Sequence, residues 1–157
     1  MTGVTIRDAC PADAPALFAV YHAAVHGGTG RFYSDAQRQA WSPSPRMAAW
    51  FPERLRGTLA LVAEDTAGAA GFIVILPASG HLDLFYVRPD RMGTGLGLAL
   101  YEAAMDRARA LGLTHFDTTA SHLCRRFLER RGWRVTEAVE GDYNGQRFQL
   151  FNMGLTP

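Results

Sequence analysis

Residues 83–111 read DLFYVRPDRMGTGLGLALYEAAMDRARAL and combine a strand, a glycine-rich turn and a helix. The apolar run from Leu84 to Val87 predicts the strand, and Pro89 ends it because proline fixes φ and has no N–H donor. The turn has glycine at every second position, which leaves its amide groups uncovered by side chains. The helix, which Gly112 ends, is indicated by apolar residues at helical spacing: Leu96, Leu100, Ala104, Ala108 and Leu111.

Uncovered amides at the positive end of a helix dipole form an anion site, and phosphate is the usual anion. A nucleotide P-loop needs Lys and then Ser or Thr after its last glycine, but Leu98 and Ala99 follow Gly97. A dinucleotide fingerprint needs a third glycine where Leu98 stands, and it normally opens its fold, whereas about ninety residues precede this turn. The glycines also fit a plain tight turn without a ligand.

The turn and its flanks resemble the pyrophosphate loop of the GNAT superfamily of acyl-CoA-dependent N-acyltransferases. The residues that carry the resemblance are Val87, Pro89, Gly93, Gly95 and Gly97. The family signature has Gln or Arg, two variable residues, Gly, one variable residue, and then Gly or Ala. Here Met92 stands where Gln or Arg is usual. Because a methionine side chain cannot donate a hydrogen bond, backbone amides and Arg91 would have to bind the phosphate.

A later segment resembles a second motif of the same family, at the expected distance from the loop. Its residues are Ser121, Cys124, Phe127, Gly132 and Trp133. Many family members carry a Tyr after the position of Phe127 as the acid for the leaving thiolate, but this chain has Leu128. The resemblance leaves Tyr33, Tyr86, Cys124 or solvent as replacements for that acid. Cys124 as an acyl-carrying nucleophile is disfavoured, since His122 lies on a different helix face.

The resemblance implies an enzyme that moves an acetyl group from acetyl-CoA to the primary amine of a small molecule or peptide by direct attack. In the family, the strand before the loop supplies N–H donors to the developing oxyanion. The residues that the resemblance implies for binding coenzyme A are Phe85, Tyr86, Val87, Arg91, Met92, Gly93, Thr94, Gly95, Leu96, Gly97, Ser121 and Cys124.

The attacking amine must lose a proton, and His81 and Asp83 are the candidate bases. They alternate along one strand, so their side chains should share a face of the sheet. The unperturbed pKa of histidine, near 6.5, suits direct proton acceptance at neutral pH, whereas an aspartate would need desolvation or would orient the amine instead. Both residues also fit a purely structural role on a strand edge. The predicted catalytic set is therefore His81, Asp83 and Tyr33.

The rest of the chain predicts an α/β fold of the GNAT type, with a mixed, mostly antiparallel sheet of six to seven strands and about four helices in a single domain over residues 1–157. Strands are predicted at residues 4–7, 58–64, 70–76, 80–87, 114–118, 133–143 and 146–155. The last two flank Asn144-Gly145, a strong hairpin signal. Further helices are predicted from Cys10 to Gly28, from Ser34 to Trp41, within residues 45–55 and over residues 121–131.

Composition narrows the function further. The chain has 157 residues, is 48% hydrophobic and carries a formal charge of +1 from 16 basic and 15 acidic residues, so nothing favours nucleic acid or an anionic membrane as a partner. No apolar run approaches the roughly 20 residues that span a bilayer, and no leader opens the chain, so we expect a cytoplasmic protein. No metal site is expected, since His22 and His26 have no third ligand arranged with them.

The acceptor is not identified by the sequence. Residues 28–57 are rich in aromatic side chains, which either line an acceptor groove or fill a small core beneath the segment. A homodimer is a possible assembly. Two other functions stay open: a non-catalytic acyl-CoA-binding module, suggested by Met92 and Leu128, and a fragment of a nucleotide-binding oxidoreductase.

Overall fold

The computed structural model describes residues 3–157, which form a seven-stranded sheet in the order β1-β2-β3-β4-β5-β7-β6. The strands are β1 (Thr5–Asp8), β2 (Leu59–Asp65), β3 (Gly68–Leu76), β4 (His81–Val87), β5 (Phe116–Ala120), β6 (Arg134–Tyr143) and β7 (Gln146–Leu155). Neighbouring strands are antiparallel except for β4 and β5, which are parallel. The α/β fold class and the mixed, mostly antiparallel sheet predicted from the sequence are confirmed.

Five α-helices flank the sheet: α1 (Ala14–Gly28), α2 (Asp35–Trp41), α3 (Phe51–Leu55), α4 (Leu96–Ala110) and α5 (His122–Glu129). Ser34 caps α2 as expected, because its side chain accepts a hydrogen bond from the Gln37 amide. The helix predicted within residues 45–55 is shorter than expected and covers only α3. Prolines at positions 43 and 45 disfavour helical backbone in the residues before them, and Pro52 lies in the first turn of α3.

The sheet separates two apolar cores because successive side chains along a strand point to opposite faces. On one face, α4 packs Leu96, Leu100 and Ala104 against Leu61 and Ile73. On the other face, Leu17 and Phe18 of α1 and Phe51 of α3 pack against the alternate strand residues Val62, Phe72 and Val74. No helix in the described residues is long and apolar enough to cross a membrane.

A β-bulge in β4 changes this alternation at Asp83. Ile75 pairs with Leu82 and Val74 pairs with Leu84, so that Asp83 has no partner of its own on β3. Leu82 therefore joins the core beneath α4, while Leu84 joins the core beneath α1. The Asp83 side chain lies on the side of the sheet that α3 covers, where it binds Arg54.

A gap opens between β4 and β5 immediately after the bulge. The two strands pair only at His81 with Asp117 and at Leu82 with Thr118. Beyond these pairs β5 continues along β7 as far as Ala120, but β4 has no partner on that side in the part of the chain described. The peptide groups on this edge of β4 are therefore free to bind a ligand.

Candidate active site

The glycine-rich turn forms one wall of a groove of about 580 Å³, which we call the loop groove. It runs from the turn after β4, past the end of α1, to α5, and enters the sheet at the gap between β4 and β5. Ten of the twelve residues predicted to bind coenzyme A line it: Phe85, Tyr86, Val87, Arg91, Met92, Gly93, Gly95, Gly97, Ser121 and Cys124. Thr94 and Leu96 do not line it. Thr94 donates to the Arg91 carbonyl (2.5 Å), and Leu96 is fully buried in the core.

The turn presents backbone amides to the loop groove. Gly93 and Gly95 have φ of 74° and 90°, a region that glycine adopts without strain. Within residues 3–157, four successive amides donate to no protein acceptor: those of Gly95, Leu96, Gly97 and Leu98. The first backbone hydrogen bond into α4 runs from the Ala99 amide to the Gly95 carbonyl. Three of these residues, Gly95, Gly97 and Leu98, line the loop groove at the positive end of a 15-residue helix, which favours an anion there.

Several arginines line the loop groove, and most come from α5 and the residues after it: Arg31, Arg91, Arg126, Arg130 and Arg131. Arg91 is already paired, since its Nε donates to Asp65 (2.8 Å). Arg88 also donates to Asp65 (2.6 Å), and together with the Ala67 amide these groups hold the pKa of Asp65 well below its usual range. Among the described residues, the buried Arg131 Nε has no acceptor.

The α5 arginines are functional candidates that the sequence prediction missed. The guanidinium groups of Arg31 and Arg126 each lie 5.8 Å from the ring of Phe32, and no ion pair of either is found in the described residues. The run Arg125-Arg126 and the pair Arg130-Arg131 were visible in the sequence, but which of these side chains faces the groove depends on how α5 packs. Met92, at the position where the family signature has Gln or Arg, packs its side chain against Gly28 at the end of α1.

A second space of about 670 Å³, the aromatic cavity, lies on the α1 side of β4. Trp41, Trp50 and Tyr143 contribute rings to its wall, and so do Phe18 and Tyr21. The prediction that residues 28–57 either line an acceptor groove or fill a core is resolved residue by residue. Trp41 and the half-exposed Trp50 line the cavity, whereas Phe51 is fully buried.

The two spaces meet at the gap between β4 and β5. Five residues line both of them: Trp41, Phe85, Tyr86, Ser121 and Cys124. We call this place the junction. A ligand that enters along the loop groove and one that enters through the aromatic cavity would touch here.

A row of ionisable side chains leads from Asp117 to His81, Asp83 and Arg54, and the last three line the aromatic cavity. His81 Nδ1 donates to Asp117 Oδ1 (2.5 Å), and His81 Nε2 lies 3.9 Å from Asp83 Oδ1. Arg54 donates two hydrogen bonds to Asp83, of 2.8 and 2.7 Å, and this carboxylate raises the pKa of Arg54. His81 and Asp83 therefore share one cavity, in line with their spacing on β4, whereas no pattern in the sequence indicated Arg54.

Tyr33, predicted as catalytic, lies outside both spaces. Its ring is buried against Phe148, and its hydroxyl donates to the Gln149 carbonyl (3.1 Å) and accepts from the His122 amide (3.1 Å). These bonds tie the start of α5 to β7, and burial raises the pKa of Tyr33. This position argues against a catalytic role, and we do not assign one to Tyr33.

The remaining acid candidates differ in position. Tyr86 lies at the junction, and burial raises its pKa well above the ordinary value. Cys124 also lies there, and burial raises its pKa to about 12. Leu128, at the position where a Tyr is usual, is fully buried in the core beneath α4. Both junction groups are therefore protonated at neutral pH.

The two histidines of α1, His22 and His26, both form hydrogen bonds to Ser42, the residue that follows α2. His22 Nδ1 lies 2.6 Å from Ser42 Oγ, and His26 Nε2 donates to the Ser42 carbonyl (2.7 Å). Ser42 is 1% exposed and lines the aromatic cavity. These bonds fix the end of α2 over the cavity.

Comparison with known proteins identifies the family. A profile described as "Acetyltransferase (GNAT) domain" matches residues 32–155. The chain belongs to the GNAT acetyltransferase family. This membership confirms the resemblance to the GNAT superfamily that the loop and the α5 motif indicated.

Individual GNAT relatives agree with this assignment. The L-methionine sulfoximine/L-methionine sulfone acetyltransferase of Pseudomonas aeruginosa is 37% identical over 69% of this chain. The chain covers 66% of that relative's length, slightly less than two thirds. A GCN5-related N-acetyltransferase from Rhodopseudomonas palustris superposes with a TM-score of 0.88 at 28% identity, over 100% of this chain and 98% of the other.

The PaiA N-acetyltransferase from Thermoplasma acidophilum, solved in complex with coenzyme A, superposes with a TM-score of 0.78 over 98% of this chain and 99% of the other. At 18% identity, this likeness shows the fold alone.

Proposed function

We propose that this GNAT protein transfers an acetyl group from acetyl-CoA to the primary amine of a small molecule. The observation that carries the proposal is the junction, where a groove built for a phosphorylated chain meets a cavity that contains a histidine and a carboxylate. The acceptors of the Pseudomonas relative, L-methionine sulfoximine and L-methionine sulfone, are small molecules of this kind and are the first acceptors to try.

The residues of the loop groove fit the acyl donor. The amides of Gly95, Gly97 and Leu98 donate to no acceptor within residues 3–157, and these residues line the loop groove, so they offer donors to a pyrophosphate at the start of α4. Open space lies where a Cβ at Gly93 or Gly95 would project, so the backbone is accessible to a ligand. Arg126, Arg130 and Arg131 supply positive charge near the groove, which suits further phosphate oxygens. Arg91, held by Asp65, contributes less than the sequence predicted.

Acetyl-CoA, when bound, supplies an acetyl thioester, so that transfer forms a C–N bond, breaks the C–S bond and moves one amine proton, in net terms, to the thiol. The acceptor amine must be neutral to attack. We propose His81 as the base, because Asp117 holds Nδ1–H and so leaves the lone pair of Nε2 in the aromatic cavity. Asp83 is paired with Arg54 and serves to position the amine.

Two further groups at the junction would stabilise charge during transfer. The free edge of β4 beyond Leu82 offers backbone N–H donors, as the family resemblance implied for Phe85, Tyr86 and Val87. The hydroxyl of Tyr86 stays protonated because of its burial and can donate a hydrogen bond to the leaving thiolate. We propose this role for Tyr86 in place of the residue at position 128.

The test is release of free thiol from acetyl-CoA with a panel of amines that includes L-methionine sulfone. We expect amine-dependent thiol release and an N-acetylated product by mass spectrometry. His81→Gln should lower kcat by about 100-fold, in the range that general base catalysis supplies, while acetyl-CoA still raises the melting temperature of the variant. The matched control is Asp106→Asn, an exposed position on α4. Stabilisation by acetyl-CoA without thiol release for any amine would instead identify a non-catalytic binding module.

A further inference from the structure

The acceptor class can be inferred from the pair of Arg54 and Asp83 in the aromatic cavity. We propose that this pair recognises a free α-amino acid, with Asp83 binding its ammonium group and Arg54 binding its carboxylate. The inference rests on the proposed acetyltransferase function and narrows it, since the sequence left small amines and peptide amines open.

The geometry and exposure of Arg54 and Asp83 suit the binding of a charged ligand. Arg54 Nε and the terminal Nη2 donate to the two oxygens of Asp83, at 2.8 and 2.7 Å, which is the two-point arrangement that a guanidinium makes with carboxylates. Asp83 is largely covered, with 13% of its side chain exposed, while the Arg54 side chain is 44% exposed. Arg54 therefore presents free N–H groups to the cavity, and its guanidinium lies 5.5 Å from the ring of Trp50.

An α-amino acid matches this pair in charge and spacing. Its ammonium and carboxylate groups are attached to one carbon, so the two ends can lie beside Asp83 and Arg54 at the same time. Each of the four charges then has an opposite partner, and none is left uncompensated in a partly covered cavity. The amino group of a peptide has no carboxylate at this distance, and a polyamine would place a second positive charge beside Arg54.

The same placement explains the position of the base. His81 Nε2 lies 3.9 Å from Asp83 Oδ1, so an ammonium group bound to that oxygen lies within reach of the imidazole lone pair. Asp83 is then a positioning residue, and His81 accepts the proton. The β-bulge supports this division of roles, because Asp83 has no partner of its own on β3 and its carboxylate binds Arg54 of α3.

A second arginine provides the matched control. Arg46 also lines the aromatic cavity, is exposed, and has no ion pair among the residues described. It could attract an anion to the cavity entrance, but it lies on the loop before α3 without a carboxylate beside it. If simple attraction of anions mattered, Arg46 and Arg54 would matter alike.

The experiment compares the best amino-acid acceptor with the amine that remains after removal of its carboxylate, which keeps the side chain and a similarly basic nitrogen. For the wild type we expect kcat/KM to favour the amino acid by about 100-fold, the range for one charge-assisted two-point contact. In Arg54→Gln this preference should fall to about threefold or less, mainly through a higher KM for the amino acid. Arg54→Lys should retain part of it, and Arg46→Gln should retain all of it.

The outcomes separate the two proposals. An amine or a peptide amine that is acetylated as well as the amino acid overturns the acceptor class and leaves the acetyltransferase function intact. An equal loss of preference in Arg46→Gln and Arg54→Gln also overturns the assignment to this pair. No thiol release with any acceptor overturns both. Melting temperature and stabilisation by acetyl-CoA, measured for each variant, show that a lost preference does not arise from misfolding.

Discussion

Burial determines what the side chains at the junction can do. Cys124 has the position of a nucleophile, because it touches both the loop groove and the aromatic cavity. Its surroundings disfavour the thiolate and raise its pKa to about 12, so the thiol form dominates throughout the pH range of an ordinary assay. A thiol is a weak nucleophile, and the acetyl group should therefore pass directly to the amine.

We predict that Cys124→Ala retains kcat/KM within about threefold of the wild type, since no covalent intermediate forms on this residue. The rate should also show no rise between pH 8 and 10 that the alanine variant lacks, because the cysteine stays protonated below its raised pKa. The control is Cys10→Ala, which changes an exposed cysteine that lines neither the loop groove nor the aromatic cavity. Mass spectrometry of wild-type protein incubated with acetyl-CoA checks the same point, and an acetylated Cys124 peptide together with an inactive variant would refute direct transfer.

At the scale of elements, the turn between β4 and α4 contains glycines with two different functions. Gly95 has φ of 90°, which an alanine adopts only with strain. Gly97 lies within α4, has an ordinary helical backbone, and would place a Cβ at 3.5 Å from Val87 and 3.8 Å from Phe85. These are normal contact distances, so the protein itself has room for that methyl group. The fold itself therefore does not require glycine at position 97, and we propose that the bound ligand does.

We predict that Gly97→Ala stabilises the free protein and weakens its binding of acetyl-CoA. Alanine is favoured over glycine in a helix by up to about 1 kcal/mol, which corresponds to about 2–4 °C in melting temperature. The added methyl group covers the amide that faces the loop groove, so stabilisation by acetyl-CoA should fall sharply. Gly95→Ala is the comparison and should lower the melting temperature of the free protein. Thermal melts with and without acetyl-CoA measure both effects, and a Gly97→Ala variant with unchanged affinity would contradict the loop assignment.

At the scale of the whole molecule, the features that were predicted from the sequence are those that depend only on residues close together in the chain. The glycine spacing, the hairpin at Asn144 and the cap at Ser34 are local signals, and the structure contains each of them. Arg54 was missed because the pairing that gives it a function joins residues 29 positions apart. Periodicity indicates which face of an element is apolar, but it does not say which element lies opposite.

Long-range contacts also explain why Tyr33 was predicted to be catalytic although it lies outside both spaces. Its type and its place in an aromatic segment suggested chemistry, but its hydroxyl bonds to Gln149, 116 positions away, and to the first amide of α5. The bulge at Asp83 was also beyond local signals, since no glycine or proline marks it and it follows from the register between β3 and β4. Most of the residues predicted along β4 and the glycine-rich turn line the two spaces, whereas Arg54, on the far side of the aromatic cavity, was missed.

Hydrogen bonds between α2 and the β6–β7 hairpin hold together two parts of the chain at the aromatic cavity. Asn144, at the tip of the β6–β7 hairpin, donates from its side chain to the Ala40 carbonyl near the end of α2 (2.7 Å). The Gln37 side chain of α2 donates in turn to the Arg147 carbonyl (2.7 Å). Beneath them, Tyr33 packs on Phe148. The cavity therefore depends on contacts between α2 and a hairpin more than a hundred residues later.

We predict that Asn144→Gly weakens acceptor binding without changing acetyl-CoA affinity. Glycine adopts the φ of 49° found at this position, so the turn is preserved and only the bond to Ala40 is removed. One lost hydrogen bond is worth about 1 kcal/mol, so the melting temperature should fall by about 2–4 °C. KM for the acceptor should rise by about three- to tenfold, because α2 no longer holds its place over the cavity, while stabilisation by acetyl-CoA stays that of the wild type. Arg147→Gln, which removes an exposed side chain of the same hairpin, should change neither constant, and an equal rise of KM in both variants would show that the hairpin acts through its charge instead of through the bond to α2.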